Sequence, residues 1–163
     1  MTNMKETENL EIIRIYEADH TLITTLFDQY RVFYGQNSDP DLAERYIKTR
    51  LETRESVIFA ALATGPAKKA AVGFTQLYPT WSSVNVSKNW ILNDLYTMPE
   101  FRKKGVGRAL IDKAKSFARD QGATWLQLET AKDNLNAQSL YENCGFLKTN
   151  TDESIFIYRT EVQ

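Results

Sequence analysis

The chain has 163 residues, of which 42% are hydrophobic and 25% are charged. This size and composition are typical of one globular domain, residues 1–163, with a core large enough to fold unaided. The 20 basic and 21 acidic residues nearly cancel, so there is no overall positive field of the kind that favours nucleic acid as a partner.

The N-terminus and the apolar runs predict a cytoplasmic protein that is not inserted in a membrane. The N-terminal segment lacks the apolar run of a signal peptide, and residues 1–7 are expected to be a flexible N-terminus. The longest uninterrupted apolar run, residues 57–63, is much shorter than the roughly 20 residues of a membrane-spanning helix. The single cysteine, Cys144, cannot form an internal disulfide.

Hydrophobic periodicity predicts an alternation of strands and helices. In chain order the predicted elements are a strand (10–16), two helices (23–34 and 40–51), three strands (56–64, 70–79 and 89–97), a helix (106–117), a strand (124–130), a short helix (136–144) and two strands (146–150 and 154–160). Asp39 and Pro40 form an N-cap and first-turn pair for the second helix. A turn at Gly65 and Pro66 makes the first two of the three consecutive strands a hairpin, and the polar segment 80–88 is expected to be a loop.

The segment "RKKGVG", residues 102–107, combines glycines and positive charge where a strand gives way to a helix. The first N–H groups of a helix have no internal partner and favour an anion, so this segment is a candidate phosphate site. The alternative is a tight turn with solvated cations. Neither G-x-G-x-x-G nor a Walker A ending is present, which argues against a nicotinamide dinucleotide and against ATP.

Two sequence blocks resemble one known family. "RKKGVG" matches the R/Q-x-x-G-x-G/A signature of the GNAT superfamily of acyl-CoA-dependent N-acetyltransferases, and it follows a strand and opens a helix as in that family. "NLNAQSLYENCGF", residues 134–146, resembles the later N-x-x-A-x-x-x-Y-x-x-x-G-F pattern of the same family. The predicted element order is also the GNAT order, so the resemblance covers nearly the whole chain.

The resemblance implies a fold, a cofactor and its contacts. The fold would be α/β (α+β), with a mixed, mostly antiparallel sheet of six to seven strands, about four helices, and fourth and fifth strands that splay apart to hold acetyl-CoA. The pyrophosphate would meet backbone N–H groups from 103 to 108, and the pantetheine arm would pair with the backbone of the fourth strand. The implied cofactor-binding residues are Leu95, Tyr96, Thr97, Arg102, Lys103, Lys104, Gly105, Val106, Gly107, Arg108, Asn134, Asn136 and Ala137.

Acetyl transfer from a thioester to an amine needs a group that protonates the departing thiolate and a group that accepts the proton of the amine. The family pattern implies that Tyr141 is the acid; the alternative is an aromatic ring that packs with Ala137 and Leu140. For the base, Asp94 and Glu129 are both candidates, acting directly or through water. Asp94 is favoured because it lies just before the expected pantetheine segment, although a carboxylate near a strand end is often only a solvated charge.

The other reactive residue types are expected to be structural. His20, the only histidine, is predicted to lie on the surface at a helix start, and Cys144 is predicted to pack as a small apolar residue. No His, Cys or carboxylate residues have the spacing of metal ligands. We therefore expect no metal.

The segment around "WILNDLY" resembles the small-amine branch of the family, which contains diamine and spermidine acetyltransferases. In that branch an acidic pair precedes the pantetheine segment, whereas this chain has Asn93 and Asp94. Candidates for lining the acceptor pocket are Tyr34, Tyr78, Trp81 and Trp90. The expected acceptor is a small primary amine; the alternatives are a protein N-terminus or lysine, or a non-catalytic acyl-CoA-binding module. Because relatives commonly dimerise, a homodimer is also expected.

Overall fold

The computed structural model describes residues 9–65, 69–150 and 154–163. The strands are β1 (Asn9–Ile15), β2 (Val57–Thr64), β3 (Lys69–Ser82), β4 (Ser87–Thr97), β5 (Trp125–Ala131), β6 (Leu147–Lys148) and β7 (Ile155–Glu161). The helices are α1 (Thr21–Phe33), α2 (Pro40–Glu52), α3 (Val106–Asp120) and α4 (Leu135–Asn143), with short 3-10 helices at Glu17–Asp19 and Pro99–Phe101. The predicted element order is confirmed. The predicted flexible N-terminus at residues 1–7 and the turn residue Pro66 lie outside the described residues.

The strands form one sheet with the order β1-β2-β3-β4-β5-β7-β6. Neighbouring strands are antiparallel except for β4 and β5, which are parallel. The predicted mixed, mostly antiparallel sheet with four helices is therefore confirmed. Within the described ranges, no helix has both the length and the apolar composition that crossing a bilayer requires.

Helices cover the sheet on both faces, and β2 shows why its sequence is apolar throughout. Phe59 and Ala61 pack in the core that α3 covers, together with Leu110 and Ile111. The alternate residues of β2 pack in a second core under α1 and α2. Because β2 is buried on both faces, it has a continuous apolar run in place of an alternating pattern.

The polar segment 80–88 differs from the predicted loop. Most of it extends the β3–β4 hairpin, in which Trp81 pairs with Lys88 and Ser82 pairs with Ser87. Trp81 is 72% exposed and the hairpin tip projects into solvent, so this part of the ladder has no buried face. Without a buried face there is no apolar alternation to reveal a strand.

His20 joins the start of α1 to α2. Its Nδ1 donates a hydrogen bond to the carbonyl oxygen of Glu17 at 2.8 Å, and its Nε2 lies 2.9 Å from the carboxylate of Glu44 in α2. Both partners can only accept, so the protonated imidazolium satisfies both. The hydrogen bond to Glu44 is the main cause of a raised pKa of His20, and the carbonyl of Glu17 adds to it. The predicted position at a helix start is confirmed, and the side chain also bridges two helices.

This bridge predicts a stability that depends on pH. Because the pKa of His20 is raised in the folded protein, its contribution is fully present below the unfolded pKa of about 6.5 and is lost as pH rises through the folded pKa. Glu44→Gln should lower the free energy of unfolding by roughly 0.2–1 kcal/mol near pH 5.5, as expected for a partly exposed pair, and by much less near pH 9. Denaturant titrations at both pH values measure this.

The matched control is Glu52→Gln, which removes a carboxylate of the same helix that pairs with Lys48 at 3.7 Å. Its effect should not change between the two pH values. Equal destabilisation by Glu44→Gln at both pH values would show that His20 is not charged in this contact.

Candidate active site

β4 and β5 separate to form an open wedge in the middle of the sheet. They pair only at Trp90 with Leu126 and at Ile91 with Gln127. Beyond these pairs β4 continues to Thr97, while β5 stays paired with β7 on its other side. The edge of β4 that faces the wedge therefore carries backbone groups without a strand partner. The predicted splaying of the fourth and fifth strands is confirmed.

Asn89 fixes the closed end of the wedge. Its side chain is fully buried, and its Oδ1 accepts hydrogen bonds from the backbone N–H groups of Thr124 and Trp125 and from the Thr124 hydroxyl, at 2.9–3.2 Å. Its Nδ2 donates to the Ser87 hydroxyl at 3.0 Å. These bonds tie the start of β4 to the start of β5, so the strands can diverge only beyond this point. The sequence analysis missed Asn89, whose only signal is a polar residue at the start of an apolar strand.

A β-bulge at Asn93 turns the next side chains to the opposite face of the sheet. In the β3–β4 ladder Leu77 pairs with Leu92 and Gln76 pairs with Asp94, which leaves Asn93 without a partner. Side chains alternate along a strand, so Leu92 and Asp94 would otherwise point to the same face. Instead Leu92 packs in the core under α3, and Asp94 meets Tyr30 of α1.

Asp94 is a buried carboxylate with three hydrogen-bond donors, and it is only 4% exposed. Its Oδ1 accepts from the Tyr30 hydroxyl at 2.8 Å and from Asn93 Nδ2 at 2.9 Å. Its Oδ2 accepts from Gln76 Nε2 at 2.6 Å. Asp94 is therefore not a solvated charge, in contrast to Glu129, which is exposed on β5. Sequence reasoning found Asp94 but not Tyr30 or Gln76.

Tyrosines from α1 and β3 surround this carboxylate. Partial burial is the main cause of a raised pKa of Tyr30, Tyr34 and Tyr78, and the charge of Asp94 raises all three pKa values further. Tyr34 nevertheless keeps 59% of its surface exposed to solvent. All three phenols are therefore protonated at neutral pH. The hydroxyl of Tyr78 lies 2.6 Å from that of Tyr46 in α2. We call Tyr30, Tyr34, Tyr46 and Tyr78 the tyrosine cluster.

The two tryptophans that were candidates for the acceptor pocket lie elsewhere. Trp90 precedes the bulge, so its side chain is buried in the core under α3, where it packs against Phe117. Trp81 is exposed near the tip of the β3–β4 hairpin. Neither is part of the tyrosine cluster. Tyr34 and Tyr78 are thus the two sequence candidates that belong to the tyrosine cluster, through contacts with Tyr30 and Tyr46.

Tyr141 of α4 combines a packed ring with an unpaired hydroxyl. The ring packs against Phe146 and Tyr158, with ring centroids 6.2 and 5.9 Å away. In the part of the chain that the structure describes, the hydroxyl has no hydrogen-bond partner. Burial is the main cause of a raised pKa of Tyr141, and electrostatic coupling to Tyr34 raises it further.

The segment 102–108 exposes backbone N–H groups at the start of α3. Lys103 and Gly105 have positive φ angles of 59° and 86°, which bend the chain sharply before the helix; glycine favours this conformation and lysine does not. No acceptor among the described residues bonds to the N–H groups from 103 to 108. Such a run of free donors at a helix start is suited to an anion.

Gly107 has a packing role that the sequence analysis did not foresee. A Cβ atom at this position would lie 3.1 Å from Cδ2 of Leu140, so the missing side chain lets α3 approach α4 closely. A larger residue at 107 would disturb this contact as well as any anion. Substitutions of exposed charges are therefore cleaner probes of an anion site here.

The cations of this segment do not form a single rim. Arg102 donates from Nε to the carbonyl oxygen of Thr97 at 3.0 Å and its guanidinium lies over the ring of Phe33 in α1. Arg108 donates to the carbonyl oxygen of Asn143 in α4 at 2.9 Å. The two arginines are thus tethered on opposite sides, while Lys103 and Lys104 are exposed at the loop itself.

The remaining predicted cofactor residues lie along the wedge or at the start of α4. The side chain of Leu95 packs toward the core under α3, and that of Tyr96 packs toward the core under α1 and α2. The Asn134 side chain caps α4 by accepting from the backbone N–H of Ala137 at 3.2 Å. Asn136 and Thr97 are at least partly exposed, and Val106 is buried at the first position of α3.

Reactive groups outside the wedge have structural roles or none. Cys144 is buried in the core under α3, and burial raises the pKa of its thiol, which makes it a poor nucleophile at neutral pH. Across the described ranges, no three His, Cys, Asp or Glu side chains lie together in a way that could hold a metal ion.

Comparison with known proteins assigns the family. The sequence profile of the acetyltransferase (GNAT) family matches residues 20–146. The chain is 47% identical over 129 residues to the uncharacterized N-acetyltransferase YhfO of Bacillus subtilis (strain 168), which covers 79% of this chain and 84% of that protein. It is 32% identical over 157 residues to the thialysine N-epsilon-acetyltransferase of Caenorhabditis elegans, which covers 94% and 93% of the two chains.

A solved structure supports the same family. The crystal structure of a probable acetyltransferase has a TM-score of 0.79 and 36% identity to this chain, and the match covers 86% of this chain and 91% of the other. The chain therefore belongs to the GNAT family and is an acyltransferase.

Proposed function

We propose that this acyltransferase moves an acetyl group from acetyl-CoA directly to a small primary amine in a ternary complex. The observation that carries the proposal is a single buried carboxylate, Asp94, that lies among phenols next to the open wedge. A carboxylate attracts an ammonium group, and aromatic faces stabilise a cation further. The C. elegans relative is named for acetylation of the Nε amine of thialysine, which supports an amine acceptor.

The backbone of the wedge and of the helix start suits coenzyme A. The free N–H groups from 103 to 108 would hold the pyrophosphate, helped by the positive end of the α3 dipole. The unpaired backbone edge of β4 at Leu95, Tyr96 and Thr97 would pair with the amides of the pantetheine arm. The side chains of Leu95 and Tyr96 are directed to the two faces of the sheet, so they leave this edge accessible. Arg102 and Arg108 would contribute charge from the sides rather than close contacts.

The amine must lose a proton before it attacks the thioester. An alkylammonium with a pKa of about 10.4 is neutral in only roughly one part in a thousand at pH 7, which corresponds to about 4 kcal/mol. Asp94 would bind the ammonium and accept its proton, directly or through water. Glu129 is the weaker candidate because it is exposed on β5 and has no hydrogen bond to the tyrosine cluster.

Tyr141 would supply the proton for the departing sulfur. The C–N bond forms as the C–S bond breaks, and the thiolate needs a hydrogen-bond donor at that moment. The Tyr141 phenol is protonated at neutral pH because burial raises its pKa, and its hydroxyl has no competing partner among the described residues. The packing of the ring fixes the direction of the hydroxyl, so Tyr141 can be both a packed aromatic residue and the acid.

A protein N-terminus or lysine is the competing acceptor, and the tests below distinguish it. A non-catalytic acyl-CoA-binding module is disfavoured because the chain belongs to a family of acyltransferases. The cytoplasmic location and the homodimer stay predictions from the sequence.

The first test of the proposal concerns the anion site. Lys104→Glu places a negative charge beside the free N–H groups at the start of α3, so acetyl-CoA affinity should fall about tenfold, equivalent to ~1.4 kcal/mol. Arg119→Glu, at the other end of the same helix, makes the same change in net charge and should leave the affinity unchanged. Calorimetric titration with acetyl-CoA measures both. Equal losses of acetyl-CoA affinity in the two variants would show that the pyrophosphate does not bind at the start of α3.

The second test concerns the acid. Tyr141→Phe keeps the ring contacts with Phe146 and Tyr158 and removes only the donor, so kcat should fall by roughly 10² to 10⁴ while acetyl-CoA affinity is retained. In the wild type, kcat/KM should show no decline up to about pH 9.5, because the raised pKa keeps Tyr141 protonated over this range. Full turnover in the mutant, with chemistry shown to be rate-limiting, would mean that water protonates the thiolate.

The third test concerns the acceptor. Asp94→Asn should raise KM for primary amines and lower kcat if the same carboxylate relays the proton. Thermal unfolding should accompany the assay, because the substitution also leaves donors of Tyr30 and Gln76 with a poorer partner. Glu129→Gln is the comparison: a larger loss there than in Asp94→Asn would transfer the role of base to Glu129. Preference for peptides over amines in direct competition would reject a small-molecule acceptor.

A further inference from the structure

The acceptor site carries a single negative charge, and we propose that it selects amines with one positive charge over diamines and polyamines. This inference deepens the proposed function and rests on it. It differs from what the resemblance to the diamine and spermidine branch implies, because it depends on the surroundings of Asp94 in this chain.

The hydrogen bonds of Asp94 leave room for only one further donor. A carboxylate offers about four lone-pair positions, two on each oxygen. On Oδ1, Tyr30 and Asn93 occupy both positions, whereas on Oδ2 Gln76 occupies one. The open position on Oδ2 can accept one N–H donor of an ammonium group or one water molecule.

The surrounding phenols offer a second ammonium group little. The hydroxyl of Tyr30 donates to Asp94, and those of Tyr46 and Tyr78 bond to each other. The remaining phenol, that of the 59% exposed Tyr34, is neutral and offers no counter-charge. No second carboxylate is hydrogen-bonded to the tyrosine cluster within the residues that the structure describes. A charged side chain next to the Tyr46–Tyr78 pair is Arg50, whose guanidinium lies 5.1 Å from the centroid of the Tyr46 ring and pairs with the carboxylate of Glu55 at 2.7 Å.

A second positive charge in this cluster would therefore find no free counter-charge, and it would lose part of its water, since Tyr34 and Tyr46 are 59% and 38% exposed. Removing an unpaired ammonium from water is costly, and the carboxylate of Glu55 is already neutralised by Arg50. An uncharged chain avoids this cost of desolvation and still gains by contact with the aromatic rings. The preferred acceptor is a primary amine whose remaining part is uncharged.

Tyr30 is the positioning residue for this arrangement. Its ring packs against Phe27, Phe74 and Tyr96, with ring centroids 5.8–6.3 Å away, so the direction of its hydroxyl is fixed. By donating to Oδ1 it prevents the carboxylate from rotating and keeps the open position on Oδ2. Tyr30 acts through Asp94 and need not touch the acceptor.

Two amines of equal length and a longer polyamine test the charge selection. Aminopentanol, diaminopentane and spermidine are compared by acetyl-CoA-dependent thiol release at neutral pH, where the second and third amines carry extra positive charge. We expect kcat/KM for aminopentanol to exceed that for either polycation by about tenfold or more, equivalent to ~1.4 kcal/mol. Equal or faster turnover of diaminopentane or spermidine would overturn this inference and leave the proposed function intact. If peptides were acetylated and none of the three amines was, both this inference and the proposed function would be overturned.

A double-mutant cycle tests the positioning role. Tyr30→Phe should lower kcat/KM for aminopentanol by roughly 10- to 100-fold, the loss expected for a hydrogen bond to a charged group, with acetyl-CoA affinity unchanged. In the Asp94→Asn background the same substitution should have almost no further effect. Tyr158→Phe is the control for lost stability, because it removes a buried phenol–carboxylate hydrogen bond to Glu142 at 3.1 Å. Equal effects of Tyr30→Phe in both backgrounds would overturn its action through Asp94.

Discussion

The bulge at Asn93 is the constraint on which the rest of the site depends. One extra residue in β4 reverses the alternation of side chains, so that Trp90 and Leu92 stabilise the core under α3 while Asp94 and Tyr96 face α1 and α2. Without the bulge, the carboxylate would be buried among apolar residues with no donor, at a cost of several kcal/mol. With it, the same strand supplies both a core face and a polar site. The bulge also lies just beyond the last β4–β5 pair, so the polar group and the open wedge are adjacent.

The site is assembled from elements that are held together far from it. Asn89 fixes where β4 and β5 part, and His20 joins α1 to α2, the two helices that contribute Tyr30 and Tyr46 to the tyrosine cluster. Unlike Asp94, the Tyr141 hydroxyl and the N–H groups of residues 103–108 have no partner among the described residues. The fold tolerates these unpaired polar groups because the hydrogen bonds of the neighbouring residues are complete.

Much of the fold could be predicted from local sequence, and part of the site could not. Periodicity, the Asp39 cap and the glycine turns report on neighbouring residues, which is why the element order is right. The second sequence block also pointed to Tyr141, and the expected pantetheine segment pointed to Asp94; both roles stay predictions. Tyr30, however, lies 64 positions from Asp94, and no local pattern links such residues. Simple alternation also cannot show a bulge. The sequence therefore could not reveal that the side chains of Trp90 and Asp94 lie on opposite faces of the sheet.

The contact between Gly107 and Leu140 joins the two ends of the proposed cofactor path. Gly107 is in the first turn of α3, and Leu140 is the neighbour of Tyr141 in α4, while Arg108 adds a hydrogen bond to the end of α4. The helix start that would hold the pyrophosphate and the phenol that would meet the sulfur therefore belong to one rigid unit. The distance between these two groups therefore sets the length of pantetheine arm that fits. A cofactor analogue with a shortened or lengthened arm would bind its phosphates as before, but its sulfur would not meet the Tyr141 hydroxyl.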